Sequence, residues 1–326
     1  VEKLLAINKL SVDFTLREST LRAVNKVSLS LDRGERLGIV GESGAGKSVL
    51  GFSIINLISK PGRIAEGSVI FQGEEISAYS YEQMRRVRGD RISMIFQDPM
   101  MTLNPVLTIG EQMRESLKAH MEVSTAQANE ICLEKLRKVY IPSPEKRLEQ
   151  YPHEFSGGMR QRIIIAISLL TNPAMIIADE PTTALDVTIQ AEIMELLLEL
   201  CETEQMGLIL ITHDLAVVSQ VTQRIAVMYA GTIVELGRTE DIITHPQHPY
   251  TIGLLGALPQ RAGSSGRLNQ IPGVMPGLAR IPRGCPFKNR CSLAAEICAT
   301  KPHLRKSSSG SEAACHMVGT EQSTAA

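Results

Sequence analysis

The sequence predicts an α/β fold: an open sheet with functional loops at its strand ends, a helical insertion, and a cysteine-bearing C-terminal extension. Three observations predict it. The apolar strand 36–40 runs into Gly41-Glu42-Ser43-Gly44-Ala45-Gly46-Lys47-Ser48 and then into an apolar helix over 49–55. A second apolar run, 174–178, ends in Asp179-Glu180, and a third, 208–212, ends in His213-Asp214. Unbroken apolar runs are typical of strands buried on both faces of a parallel sheet. Ligands of such sheets collect at the carboxyl ends of the strands.

In chain order, 4–10, 12–16 and 27–31 read as short strands rich in Val, Leu and Ile. Phe14 stands ahead of the glycine-rich stretch and is either a stacking face for a base or an aromatic packed in this small sheet. The stretch from Gly41 to Ser48 fits the phosphate-loop pattern at every defined position. Glycines let the backbone wrap an anion, and the helix that follows points its positive end at it. Lys47 is expected to reach the outer phosphates, Ser48 a magnesium ion, and Val49 to continue the first helical turn.

Beyond the first helix, 67–71 reads as a strand and 81–88 as a short basic helix. The strand 91–96 ends at Gln97-Asp98-Pro99, so Gln97 is a candidate for touching magnesium or water. Helical periodicity then dominates over 109–121 and 125–139, which predicts a helical insertion spanning 105–152. It ends in Phe155-Ser156-Gly157-Gly158-Met159, where Ser156 is an N-cap for the next helix and, with its glycines, a second anion site. Asp179 is expected to hold magnesium through water and Glu180 to polarise the attacking water. Asp186 precedes an amphipathic helix over 187–201, and His213 is placed to reach a γ-phosphate.

Bulk properties restrict the function classes. A chain of 326 residues suits about two domains. At 43% hydrophobic and 21% charged residues, its composition is that of an ordinary globular protein. A net charge of −1 gives no global field to recruit nucleic acid. The longest apolar run, 163–170, falls well short of the roughly 20 residues a membrane helix needs. A soluble, cytoplasmic protein is expected, reaching a membrane only through partners.

Taken together and in this order, these residues resemble the ATPase subunit of an ATP-binding cassette (ABC) transporter over nearly the whole chain. The resemblance assigns Walker A to Gly41–Ser48, the Q-loop to Gln97, the signature to Ser156-Gly157-Gly158, Walker B to 175–179, the catalytic glutamate to Glu180, the D-loop to Ala184-Leu185-Asp186 and the switch histidine to His213. It implies a P-loop NTPase core with a β-subdomain over 1–104 and 153–258, and an extension over 259–326. His248-Pro249-Tyr250-Thr251 and the cysteine tail resemble the oligopeptide, dipeptide and nickel importer branch, and Phe155 to Met159 its first-type ATPase. The general signature carries leucine and glutamine where this chain has Phe155 and Met159, which removes one polar contact but keeps the serine hydroxyl and glycine N–H groups.

The resemblance implies ATP and magnesium as ligands. It also implies head-to-tail dimerisation with a second ATPase, a paralogue or a second copy. Two permease subunits and an extracytoplasmic solute-binding protein complete the implied assembly, at the cytoplasmic face of the membrane; no nucleic acid is implied. The competing reading is a related ATPase acting on DNA or in repair; such proteins split their ATP motifs with long coiled coils, unlike the short segment between Asp98 and Phe155.

Cys285, Cys291, Cys298 and Cys315 lie in a Pro- and Gly-rich tail that needs a staple. Disulfides are disfavoured in the cytoplasm, zinc favours closer cysteine pairs, and an iron–sulfur cluster accepts wider spacings. The resemblance selects a four-iron four-sulfur cluster, with zinc the runner-up. Cys132 and Cys201 read as packed helix residues.

Overall fold

A computed structural model describes residues 3–183, 185–258, 270–307 and 310–318. Ala184 of the expected D-loop, and residues 259–269 at the start of the expected extension, lie outside the described residues. The chain divides into two compact units. One comprises Val1–Leu4, Leu31–Glu35 and Phe71–Leu210; the other comprises Leu5–Ser30, Arg36–Ile70 and Ile211–Ala326.

The second of these holds the glycine-rich loop. Its small sheet sets Thr20–Leu31, Leu5–Thr15 and Gly62–Phe71 side by side in that order. Leu5–Thr15 is one strand where the sequence suggested two. Lys9 and Lys26 take up the irregularity in left-handed backbone, with φ of 48° and 52°. Each amide is satisfied by a serine: Lys9 N–H donates to Ser28 Oγ at 2.9 Å and Lys26 N–H to Ser11 Oγ at 3.1 Å. The left-handed backbone costs about 1–2 kcal/mol per residue, and the strand continues through it.

A second sheet begins at Arg36–Val40, which pairs in parallel with Arg224–Tyr229. Thr232–Arg238 pairs antiparallel with that strand, and Glu312–Ala313 and Arg305–Lys306 extend the edge. The cysteine-bearing tail thus donates two short strands to the sheet that carries the loop. Leu37, Ile39, Val40 and residues 225–229 are buried, as the apolar runs require. Tyr229, Tyr250 and Phe287 form an aromatic knot with ring centroids 4.7–5.4 Å apart, fastening the tail to strand and helix.

In the other unit Ile92–Ile95 pairs in parallel with Met175–Asp179, all five residues of which are buried. The region between them is helical: Ile109–Lys118 and Thr125–Lys138 each open with a full capping box, Thr108 with Glu111 and Ser124 with Gln127. Ile109, Met113 and Leu117 are buried on the first, and Ala128, Cys132 and Leu136 on the second, the four-residue spacing that puts apolar side chains on one face. Gly157–Ser168 and Val187–Glu204 complete the helices near the strand ends. Among the described residues no helix is long and apolar enough to cross a membrane.

Candidate nucleotide site and cysteine pocket

The glycine-rich loop leaves the buried strand Arg36–Val40 and enters the helix Lys47–Ile54. Two glycines are required by close approach. A Cβ at Gly41 would lie 2.3 Å from the Met228 carbonyl oxygen, and one at Gly46 would lie 2.6 Å from that of Ala23, where φ is also 97°. Lys47, only 5% exposed, curls back so that its ammonium donates to the carbonyls of Gly41 at 2.8 Å and Glu42 at 3.2 Å. The helix has no side-chain cap and no acidic residue in its first turn. An anion at this end therefore meets a positive helix terminus and no competing carboxylate from that turn. Ser43 and Gly44 are exposed, Ala45 is buried, and Ser48 and Val49 are half-buried.

Phe14 is half-buried and packs by its ring edge against Gly62, where a Cβ would lie 2.6 Å from Phe14 Cε1. His213 is exposed at the end of the fully buried strand Gly207–Thr212. Its neighbour Asp214 is spent on structure: Oδ1 accepts from the N–H groups of Ala216 at 2.8 Å and Val217 at 3.4 Å, capping Leu215–Val221.

In the other unit the parallel register explains a convergence. Ile95 lies opposite Ala178, so Gln97 and Glu180 each follow two residues later at the same end of the sheet. Gln97 Nε2 donates to Glu180 Oε2 at 3.1 Å, and Thr183 Oγ1 donates to the same oxygen at 2.9 Å. Glu180 sits at φ 46°, a left-handed conformation uncommon for a non-glycine residue. Asp179, 3% exposed, precedes it on the buried strand.

Ser156 caps Gly157–Ser168, its Oγ accepting from Met159 N–H at 3.3 Å. A Cβ at Gly158 would meet Ile189 Cγ2 at 2.7 Å and one at Gly157 would meet Leu185 at 3.2 Å, so these glycines also serve packing. Phe155 is buried beneath the Arg147 guanidinium, 5.8 Å from the ring centroid. Asp186 is exposed at the start of Val187–Glu204 and makes no side-chain cap.

Cys285, Cys291, Cys298 and Cys315 line one pocket with His248, Phe287 and Pro302. Burial pushes the thiols of Cys285, Cys291 and Cys315 up, and neighbouring thiols add to it. Neither these four nor the buried Cys132 and Cys201 are joined in a disulfide among the described residues. Among the described residues no group of three or more His, Cys, Asp or Glu is gathered for a metal ion, so the expected iron–sulfur ligation has no support in the geometry. His248 caps the helix Pro249–Gly256, its Nδ1 accepting from Tyr250 N–H at 3.1 Å.

Sequence reasoning missed the grip on Glu42. Its N–H donates to the Tyr250 hydroxyl at 2.8 Å, and its carboxylate accepts two bonds from Arg290, at 2.6 and 3.0 Å. An arginine in a loop carries no local pattern that announces such a contact.

The profile of the family described as ABC transporter matches residues 24–183, and that of the oligopeptide/dipeptide transporter C-terminal region matches 234–298. The chain is 47% identical over 314 residues to the oligopeptide transport ATP-binding protein OppD of Escherichia coli K12, covering 96% of this chain and 93% of the relative. The chain belongs to the ABC transporter family. The ABC assignment extends to the dipeptide transport ATP-binding protein DppD of Bacillus subtilis 168, 49% identical over 91% of this chain and 89% of the relative. Among solved structures, a dimeric ABC cassette described as a post-hydrolysis state bound to ADP and Pi matches with a TM-score of 0.65 at 27% identity, covering 72% of this chain and 98% of that one. An ABC ATPase has an α/β P-loop core and uses ATP with Mg²⁺.

Proposed function

We propose that this chain is the ATP-hydrolysing subunit of an ABC importer for di- or oligopeptides, or for related small solutes such as nickel chelates. The observation that carries the reading is the joint presence, in one chain, of the ABC transporter match and the peptide-transporter C-terminal match. The relatives' names, oligopeptide and dipeptide transport ATP-binding proteins, point the same way. The loop Gly41–Ser48 with Lys47 and Val49 binds the triphosphate, Phe14 offers its ring face to the base, and Ser48, Gln97 and Asp179 serve magnesium. Bound magnesium neutralises phosphate charge and orients the oxygens. Glu180 takes a proton from the attacking water, and His213 positions the γ-phosphate.

Ser156, Gly157, Gly158 and Asp186 act on nucleotide held by a second ATPase, a paralogue or another copy. ATP-driven closure of that dimer is passed to two permease subunits, fed by an extracytoplasmic binding protein. The chain sits peripherally on the cytoplasmic face of the membrane.

The tail cysteines hold a four-iron four-sulfur cluster. Four thiols lining one pocket are the right donor chemistry for a cluster, which accepts cysteines at wide sequence spacings. Iron and acid-labile sulfide should each approach four per chain in anaerobically purified protein; zinc with neither overturns the cluster. Purification from native membranes tests the function: permease subunits and a solute-binding protein are expected to accompany the chain. Recovery with DNA-repair proteins and no permease would overturn the reading.

A further inference from the structure

The C-terminal tail reaches the phosphate loop through one side chain. Arg290 lies between Cys285 and Cys291 in the chain, ahead of the helical turn Glu296–Ala299. Its side chain is only 6% exposed, and every donor nitrogen is engaged. Nε donates to the Pro272 carbonyl at 2.8 Å. Nη1 donates to Glu42 Oε2 at 2.6 Å and the Tyr229 hydroxyl at 3.5 Å. Nη2 donates to Glu42 Oε1 at 3.0 Å and the Gly273 carbonyl at 3.3 Å. The guanidinium also lies 5.9 Å from the ring centroids of both Tyr229 and Phe287. The stretch it anchors runs close to the loop, since a Cβ at Gly44 would come within 4.0 Å of Met275 Sδ.

Glu42 is consequently fixed at three points: its N–H by Tyr250, its carbonyl by Lys47 and its carboxylate by Arg290. Tyr250 and Arg290 both follow the strand Thr232–Arg238 in the chain, far from the loop in sequence. A planar, two-point guanidinium–carboxylate pair fixes orientation as well as charge. Charge matters here because Glu42 belongs to the loop that receives a polyanion. Without Arg290 its carboxylate would stand uncompensated in that loop.

We propose that Arg290 is a positioning residue for nucleotide binding: it neutralises and orients Glu42, so that the affinity of the phosphate loop for nucleotide depends on an ordered C-terminal tail. The proposal rests on reading Gly41–Ser48 as the nucleotide site. A consequence is that whatever orders the cysteine pocket, to which Phe287 belongs, also tunes that affinity.

Calorimetric titration of the full chain with Mg-ADP tests this in four proteins: parent, Arg290→Ala, Glu42→Gln and the double variant. Arg290→Ala is expected to weaken ADP at least tenfold at low ionic strength, because it leaves Glu42 facing the phosphates. Adding Glu42→Gln to Arg290→Ala should bring affinity back to within threefold of Glu42→Gln alone. Restoration separates the charge role from loss of tail structure, since a disordered tail would not be repaired by neutralising Glu42. Arg290→Ala binding as tightly as the parent, or a double variant as weak as Arg290→Ala, overturns the proposal. A parent that binds no ADP, matching a Lys47→Ala control, overturns the nucleotide reading itself.

Discussion

Gln97 and Glu180 are joined by a 3.1 Å hydrogen bond from the glutamine amide to the glutamate carboxylate, although 83 residues separate them. The parallel register of their two strands delivers both to one sheet end, and Thr183 holds the same oxygen from the other side. The two bonds orient the carboxylate that we propose as the general base. Glu180→Gln keeps the shape and removes that basicity. Turnover should fall at least about a hundredfold, the lower range for loss of a general base, with ATP affinity changed by less than about fivefold. Single-turnover hydrolysis beside equilibrium binding checks this.

Gly44 and Gly46 differ in a way that mutants will report. Both have positive φ, 83° and 97°, but Gly44 is open apart from Met275 at 4.0 Å, whereas a Cβ at Gly46 meets the Ala23 carbonyl at 2.6 Å. Gly44→Ala should cost only the left-handed backbone term, about 1–2 kcal/mol. Gly46→Ala must also displace the loop or the strand, so it should lower both nucleotide affinity and the unfolding midpoint more than Gly44→Ala does. Equal effects in the two variants would contradict the packing argument.

Gln161, on the helix that Ser156 caps, is 1% exposed and has no protein partner for either amide atom. Burying an unsatisfied amide is unfavourable by about 1–3 kcal/mol. Gln161→Met, similar in length and apolar, should therefore stabilise the chain by about 1 kcal/mol in denaturant unfolding. Destabilisation of that size would show that the amide is satisfied by water or a ligand.

Asp13 and Arg22 form a two-point pair at 2.8 and 3.0 Å. The hydrogen bond from Arg22 is the main cause holding the Asp13 carboxyl below its ordinary 3.8, against the opposing effect of burial. Because the folded pKa is depressed, the stability that Asp13 contributes is fully present above the unfolded value, about 3.9. It is lost as pH falls through the depressed folded value. Arg22 is about one-third exposed, so solvent screening keeps the contribution to about 1 kcal/mol. The stability gap between the parent and Asp13→Asn should be constant from about pH 6 to 7 and shrink below about pH 4 in denaturant unfolding.

The parts of the candidate site legible in the sequence are those encoded locally. Gly41 to Ser48 announces itself by spacing, and Gln97, Glu180 and His213 by standing just past apolar strands. Ser156 is recognisable as a cap because it precedes glycines and a long helix. What could not be read depends on distant chain or on backbone detail. Glu42 and Arg290 are 248 residues apart with no periodicity linking them. The single strand Leu5–Thr15 reads as two because Lys9 and Ser11 interrupt its apolar pattern, while the structure absorbs the interruption through left-handed residues and serine hydroxyls. The packing duty of Gly157 and Gly158 against Leu185 and Ile189 likewise arises only where the fold brings separate stretches of chain together. Cysteine spacing alone left disulfide, zinc and cluster open, because donor type without geometry does not select a metal.

The most direct test of the central claim is peptide uptake by proteoliposomes bearing the membrane complex purified on this chain. ATP is enclosed in the lumen, and labelled peptide with the binding protein is supplied outside. The account predicts uptake that requires ATP and is abolished by Glu180→Gln. Uptake by the Glu180→Gln complex at the parent's rate, or ATP hydrolysis by the parent complex with no peptide or small-solute uptake, would contradict it.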